Sequence, residues 1–317
     1  MAFAFLGPPA PALVLLWPVL PGAILMGLLR AVCLRIFTHL GEHIIVMLHG
    51  PESSLLAANK HKVFAEKCFY AVVHIACTIV GGRLCWNCGW LSKAGDFFFE
   101  LPWPHDLPAS ALWGTRDYYA LEGALALEST YHLVGEVQKT GLGKNFMMFV
   151  HHAVTLTLIT ASWQLGILET GAVVLWLHAA SDVGIDLLKA SDSVKSAWDV
   201  PCFAFAILTW VGFRFILLPY HLLRPGWYRI TQIVFGHDCS PYPECPAWGS
   251  ALSTPEFIPG TTAWLGLCLL CVLHAIWLKQ LIYKALEVLK PAKGTEGEAA
   301  TPIPDMCAPG FEEKKKA

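Results

Sequence analysis

The chain has 317 residues, of which 55% are hydrophobic and only 15% charged, and its formal net charge is −2. Soluble domains carry about 25% charged residues, so this composition excludes an ordinary soluble protein. A net charge near zero, with no basic cluster inside a folded segment, argues against a nucleic-acid partner. Repeated apolar windows of membrane-spanning length predict an all-α, polytopic integral membrane protein.

Seven apolar segments are predicted to cross the membrane. The first contains Pro18 and Pro21, which favour a kinked helix. It lacks the basic n-region and the small-residue cleavage site of a signal peptide, so we interpret it as a membrane span. The spans lie at about 12–30, 68–86, 118–137, 146–163, 166–188, 200–222 and 261–285.

Lysine and arginine are unevenly distributed between the predicted loops. Residues 30–67, 139–144 and 189–195 and the tail after 285 are rich in them, whereas 87–117 and 223–260 are poorer. The positive-inside rule therefore predicts a lumenal N-terminus and a cytosolic C-terminus. The ending Lys314-Lys315-Lys316-Ala317 resembles a dilysine address for the endoplasmic reticulum membrane, with a solvated charged tail as the alternative.

This pattern divides the chain into three parts. Residues 1–59 are predicted to form an N-terminal span and a cytosolic linker, 60–288 the main helical domain, and 289–317 a disordered cytosolic tail. Cys239 and Cys245 fall in a predicted lumenal loop, where a disulfide can form. Cys85 and Cys88 form a C-x-x-C that fits a structural pair, a redox pair or zinc ligands equally well.

Ionisable residues lie inside two consecutive predicted spans. His151 and His152 are adjacent on one, and His178 and Asp182 lie one helical turn apart on the next. Such groups are costly at bilayer depth unless they face a protein interior or a watery cavity. The link near Gly166 is short, so the two helices are predicted to be antiparallel neighbours. We interpret the cluster as a buried catalytic site, with a polar helix-packing network as the alternative.

The residue types suit acid–base or nucleophilic chemistry. A neutral imidazole can act as a base or a nucleophile near neutral pH, and a carboxylate beside it fixes its tautomer. The hypothesis is that His151 or His152 performs this chemistry while Asp182 orients it. Ser181 flanks the face of Asp182, and Ser162 lies near the face of His151.

The segment FVHHAVTLTLITASWQLGILETGAVVLWLHAASDVGIDLLKAS resembles the Lag1 motif of ceramide synthases, the central signature of the TRAM-LAG1-CLN8 (TLC) domain. KVFAEKCFYAVVH at 62–74 is similar to the segment that opens this domain. RDYYALEGALALESTYHL and FAFAILTWVGFRFILLPYHLL resemble the spans on either side of the motif. The resemblance covers about residues 60–225.

The resemblance implies a six-helix TLC bundle preceded by an N-terminal span, located in the endoplasmic reticulum membrane. It implies transfer of a fatty acyl group from acyl-CoA to the amino group of a long-chain sphingoid base, with no metal and no bound cofactor. Membrane lipids are the surroundings, and a homo- or heterodimer is compatible with the family. The implied catalytic residues are His151, His152, His178 and Asp182, and the implied substrate-binding residues are Glu122, Ser162, Ser181 and Arg214. Arg214 has a structural alternative, as the partner of an intramembrane carboxylate.

One position departs from the family pattern. Ceramide synthases usually have H-D-x-S-D, and here the first aspartate is replaced by Ala179. The change predicts a slow enzyme, an altered substrate or a catalytically silent protein, with Asp182 and Asp186 as candidates to compensate. A non-catalytic lipid-binding or lipid-sensing protein is therefore the alternative function.

A metal-dependent membrane hydroxylase is a third alternative. His39, Glu42 and His43 form H-x-x-E-H, which resembles a zinc-peptidase pattern. A di-iron enzyme needs more histidine clusters than the sequence contains. We favour a solvated or interfacial helix at His39 and predict no metal site.

Overall fold

The computed structural model describes residues 12–90, 109–164, 168–227 and 257–288. Within these ranges the chain is helical and contains no β-strand. Two π-helical segments, Gly212–Leu217 and Pro219–Leu223, extend the seventh helix. The helices are α1 (Ala12–His49), α2 (Ser54–Ala57), α3 (Lys60–Asn87), α4 (Ala109–Thr140), α5 (Leu142–Gln164), α6 (Leu168–Val194), α7 (Asp199–Val211) and α8 (Phe257–Val288).

The predicted class, an all-α polytopic membrane protein, is confirmed. Six helical segments of the described chain are long and apolar enough to cross a membrane. They are Trp17–His49, Lys60–Asn87, Leu142–Gln164, Leu168–Val194, Asp199–Trp227 and Thr261–Lys284. Helix α4, which contains the span predicted at 118–137, is 32 residues long but is not among them. Its Glu122 and Glu128 lower its hydropathy, and both face the protein interior, since only 8% and 4% of their surfaces are exposed.

Helix α1 is longer than the sequence indicated. A span ending near residue 30 and a linker to residue 59 were predicted, but α1 continues without interruption to His49. No proline occurs between residues 30 and 49 to stop it. The helix ends where Gly50 adopts a φ of 85°, and Pro51 follows. The predicted linker is therefore helical up to His49, because a change of composition does not by itself end a helix.

Helix α6 is the centre of the bundle. It packs against α3 and α7 and also contacts α4 and α5, while α8 packs against α5. Its sequence is apolar around most of its circumference, as expected for a helix surrounded by other helices. The polar side chains of α6 therefore point at neighbouring helices, and the predicted contact between α5 and α6 is present.

Several predictions concern residues outside the described ranges. These are the Cys239–Cys245 bridge, the tail at 289–317 with its lysine ending, and much of the two predicted lumenal loops. Cys85 and Cys88 are within the described chain, and both are free thiols.

Candidate active site

A cavity of about 810 Å³ lies inside the bundle, lined by residues of α1, α3, α4, α5, α6 and α8. The structure brings most of the predicted site together around it. Two predicted residues, Ser181 and Arg214, do not line the cavity and are buried behind the α6 wall. The predicted residues that do line it are Glu122, His151, His152, Ser162, His178 and Asp182.

One end of the cavity is charged. It is formed by the start of α3, the end of α4 and the start of α5, together with Arg30 from α1. Arg30 pairs with Glu66 at 3.1 Å and with Glu128 at 3.3 Å. His132 lies 2.9 Å from the same Glu128. These pairings explain how Arg30 and Glu128 can be buried in the bundle.

The opposite end of the cavity is mainly apolar. It is formed by the end of α5 and the start of α8, and Ser162 is a polar residue in its wall. The apolar residues are Leu158, Ile159, Ala263, Leu267 and Leu270. A cavity with one charged end and one apolar end can accommodate a molecule with a polar head and a hydrocarbon chain.

The hydrogen bonds of His152 define its tautomer. The Thr130 hydroxyl donates its single proton to the carbonyl of Ala126 at 2.6 Å. The same hydroxyl oxygen lies 3.0 Å from Nδ1 of His152, and it must therefore accept from an Nδ1–H group. A neutral His152 consequently carries its lone pair on Nε2, the nitrogen that can act as a base or a nucleophile.

His178 has the same tautomer for a different reason. Its Nδ1 lies 2.8 Å from the carbonyl oxygen of Val174, which can only accept, so Nδ1 carries the proton. Its Nε2 is buried and has no hydrogen-bond partner within the described residues. His178 therefore also offers a lone pair on Nε2.

His151 also lines the cavity, in a less polar environment than His152 and His178. Its ring packs edge-on against Trp277 of α8, with 5.3 Å between the ring centroids. Its Nδ1 and the hydroxyl of Thr155, one turn further along α5, are both buried without a hydrogen-bond partner in the described part of the chain. Buried polar atoms are normally satisfied, so these two atoms are candidate contacts for a bound molecule.

Arg214 joins three helical segments behind the site. Its guanidinium donates to Ser181 at 2.6 Å, to Asp182 at 2.5 Å and to Nε2 of His274 on α8 at 2.6 Å. The group also lies over the ring of Trp210, 4.3 Å from its centroid. Arg214 belongs to the π-helical segment Gly212–Leu217, a distortion often found near functional sites. The structural alternative considered for Arg214, pairing with an intramembrane carboxylate, is what the structure contains.

One orienting role differs from the hypothesis drawn from sequence. Asp182 pairs with Arg214 rather than with His151 or His152, so Thr130, not Asp182, orients His152. Ser162 accepts from the hydroxyl of Tyr119 at 3.0 Å and donates to the carbonyl of Ile159. Asp182 belongs to the support behind the cavity as well as to its lining.

Sequence reasoning did not select three polar residues that the structure places at the site. Thr130 orients His152, His274 accepts from Arg214, and His74 of α3 lies 2.7 Å from Asp186. His74 and His274 are histidines inside apolar spans, which is itself a signal of function. Each is the single histidine of its predicted span, so no neighbouring histidine marked it as part of a cluster.

The comparison with known proteins assigns most of the chain to one family. The family model of the TLC domain, TRAM_LAG1_CLN8, matches residues 63–283. The chain belongs to the TLC domain family. The matched segment contains the helices that carry His74, His152, His178 and His274, whereas Arg30 lies before it.

Curated relatives of this TLC domain protein include ceramide synthases. Ceramide synthase hyl-2 of Caenorhabditis elegans is 27% identical over 135 residues, covering 42% of this chain and 39% of the relative. Ceramide synthase LOH1 of Arabidopsis thaliana is 28% identical over 234 residues, covering 72% and 67%. Ceramide synthase 1 LOH3 of the same plant is 26% identical over 252 residues, covering 76% and 75%. The chain spans about half the length of several others, such as the ASC1-like protein of Solanum lycopersicum, at 55%.

Ala179 of this TLC domain protein lies on the face of α6 that lines the cavity, and it is 3% exposed. A longer side chain at this position would enter the cavity. Asp182 and Asp186 were the candidates to compensate for the aspartate that Ala179 replaces. Both carboxylates have other partners, since Asp182 bonds to Arg214 and Asp186 bonds to His74. Neither contacts His151, His152 or His178 through a hydrogen bond or ion pair within the described chain.

The H-x-x-E-H segment lies apart from the cavity. His39, Glu42 and His43 are exposed on α1. Among the residues that the structure describes, no group of three or more His, Cys, Asp or Glu side chains could hold a metal ion.

Proposed function

We propose that this protein is an N-acyltransferase of the ceramide synthase type, which joins the fatty acyl group of acyl-CoA to the amino group of a long-chain sphingoid base. One observation carries the proposal: His151, His152 and His178 line a single interior cavity, and the last two present Nε2 lone pairs. The ceramide synthase relatives support the same reaction class. No metal or bound cofactor takes part in this proposal.

The reaction requires one bond to form and one to break. The amine nitrogen forms a C–N bond with the acyl carbon, the C–S bond of the thioester breaks, and the amine proton ends on the thiolate sulfur. A histidine Nε2 can move this proton as a base and then as an acid. Alternatively, His151 or His152 first takes the acyl group and passes it to the amine. Ser162 and Glu122 are proposed to contact substrate in either case.

The layout of the cavity suits two substrates of the bilayer. We place the hydrocarbon chains at the apolar end, near Leu267 and Leu270, and the polar part of acyl-CoA at the charged end. That end adjoins the connection between α4 and α5, whose Lys139 and Lys144 indicate the cytosolic side by the positive-inside rule. The proposal therefore includes the endoplasmic reticulum membrane, a lumenal N-terminus and cytosolic delivery of acyl-CoA.

The test is N-acylation of a labelled sphingoid base in microsomes from cells that lack their own ceramide synthases, with a panel of acyl-CoAs. Wild type and the variants His152→Ala and Ala179→Asp are compared at equal protein level. We expect wild type to form ceramide and His152→Ala to lose this activity. Ceramide formation that is equal in wild type and His152→Ala would contradict the role of His152.

Ala179 favours a second candidate, a TLC domain protein that binds lipid without turning it over. Under this alternative the cavity holds a long-chain lipid, and no carboxylate is present at position 179 to assist chemistry. An inactive wild type together with an active Ala179→Asp variant would support this candidate over the enzyme.

A further inference from the structure

A second histidine–carboxylate pair faces the cavity from a different wall. His74 belongs to α3, and its Nδ1 lies 2.7 Å from Oδ2 of Asp186 on α6. Both residues line the cavity that contains His151, His152 and His178. The side chains of His74 and Asp186 are 17% and 5% exposed, so the pair is largely enclosed by protein. The mechanism above assigns no role to either residue.

The pair has the connections of a proton acceptor. An ionised carboxylate can only accept a hydrogen bond, so a neutral His74 has its proton on Nδ1 and its lone pair on Nε2. When Nε2 gains a proton, Asp186 stabilises the resulting imidazolium, as the orienting carboxylate does in hydrolase triads. His152, by contrast, has only the neutral hydroxyl of Thr130 at its Nδ1. His74 is therefore better built than His152 to hold a positive charge.

The surrounding charges favour a cationic substrate group beside His74. Glu122 lines the same cavity, is 8% exposed and interacts electrostatically with His74. It accepts from the hydroxyl of Tyr118 at 2.8 Å and forms no ion pair within the described residues. The guanidinium of Arg214 lies instead behind His178 and beside His274. An ammonium ion in the cavity is attracted to Glu122 and Asp186 and repelled by Arg214.

We propose that His74, oriented by Asp186, takes the proton that the substrate ammonium loses before it attacks, while Glu122 holds the ammonium beside it. The inference rests on the proposed N-acyltransferase function. It assigns the first proton transfer to His74 and the second to a histidine of the Lag1 motif. A primary alkylamine is protonated at neutral pH and has no lone pair until one proton leaves.

The steps balance as follows. His74 Nε2 takes one proton from R–NH3⁺, and the resulting amine lone pair attacks the acyl carbon. The C–N bond forms, the C–S bond breaks, and the second proton passes through a histidine of the Lag1 motif to the thiolate sulfur. The products are the amide, free CoA thiol and one proton on His74, which is released to water. The thioester is the only acyl donor, and no redox partner is required.

The first experiment measures the initial N-acylation rate of a sphingoid base between about pH 6.5 and 9. His74→Ala is compared with wild type and with His49→Ala. His49 is the control, because it also makes a hydrogen bond between helices, to the carbonyl of Val194 at 2.9 Å, but does not line the cavity. We expect His74→Ala to lose activity about 100-fold near neutral pH. The loss should shrink about tenfold for each unit by which the pH rises towards the amine pKa, because the free amine then forms in bulk solution. His49→Ala should follow the wild-type pH profile.

The second experiment separates proton transfer from folding. Hydroxylamine is largely unprotonated at neutral pH, so it needs no base to become a nucleophile. We expect His74→Ala to form the hydroxamate from acyl-CoA at the wild-type rate, and Asp186→Asn to show a weaker version of the same pH-dependent defect.

The outcomes are distinguishable. A loss in His74→Ala that is equal at every pH and with hydroxylamine would overturn the role of His74 as proton acceptor. Full activity of His74→Ala at neutral pH would also overturn it, while leaving the acyltransferase in place. Absence of activity in wild type would overturn the proposed function itself.

Discussion

The Thr130 hydroxyl and Nδ1 of His152 lie 3.0 Å apart, and this hydrogen bond connects α4 to the Lag1 motif on α5. Because Thr130 gives its own proton to Ala126 at 2.6 Å, it can only accept from His152. A neutral hydroxyl therefore performs the orienting role that sequence reasoning gave to Asp182. It fixes the tautomer of His152 without adding a negative charge.

Removal of the Thr130 hydroxyl should impair chemistry more than folding. Thr130→Val keeps the shape of the side chain but releases the ring of His152, so we expect a fall of about 100-fold in the N-acylation rate with similar binding of acyl-CoA. Thr130→Ser should retain most activity, since it keeps the acceptor. Thr157→Val is the control, because Thr157 is exposed on α5 and its hydroxyl bonds to the carbonyl of Ala153 on its own helix. Equal rates in Thr130→Val and wild type would contradict the orienting role.

Loss of the Arg214 guanidinium should destabilise the bundle. Arg214→Met leaves Asp182 and His274 without the group that joins them, and removing one partner of a buried ion pair costs about 3–5 kcal/mol. The double variant Arg214→Met/Asp182→Leu should recover part of this loss. Thermal unfolding of the purified protein in detergent measures both effects.

Lys139→Ala is the control for Arg214→Met. It breaks the exposed pair of Lys139 with Glu136 and should change the free energy of unfolding by less than about 1 kcal/mol. A similar change in the two single variants would contradict the buried role of Arg214.

The apolar end of the cavity should select the length of the acyl chain. Ala263 is 8% exposed and lines this end, so Ala263→Phe would fill part of it. Each buried methylene contributes about 0.8 kcal/mol. If the substitution removes the room for two methylene groups of the acyl chain, binding of long acyl-CoAs should be disfavoured over shorter ones about tenfold. Competition between two acyl-CoAs, with product lengths read by mass spectrometry, measures the ratio.

The control for this selectivity lies on the same helix. Leu265 is 56% exposed and points away from the cavity, so Leu265→Phe should leave the product lengths unchanged. The same shift in Ala263→Phe and Leu265→Phe would show that the apolar end does not hold the acyl chain.

The architecture could be predicted from sequence because a bilayer imposes strong constraints on composition. Long apolar windows identified the spans, and ionisable residues at bilayer depth identified His151, His152, His178 and Asp182 as interior groups. The sequence also marks where α1 ends, because Gly50-Pro51 is a helix-stop signal, whereas the loss of hydropathy after residue 30 is not.

The partners of the site residues could not be predicted in the same way. His74 and Asp186 are 112 positions apart, and Arg214 and His274 are 60 apart, so their contacts depend on which helices become neighbours and at what rotation. Local spacing made Asp182 available to the histidines of α5, but Arg214 is in contact with it instead. Thr130 gave no signal at all, because a threonine in a helix usually bonds to its own backbone.

The most direct test of the central proposal uses purified wild-type protein in liposomes, with acyl-CoA and a sphingoid base as the only substrates. Amide formation and release of CoA thiol are measured in the same sample. We expect the two products in equal amounts, and both should be abolished in His152→Ala. Saturable binding of the lipids by wild type without amide or free thiol would contradict the acyltransferase and favour a lipid-binding protein.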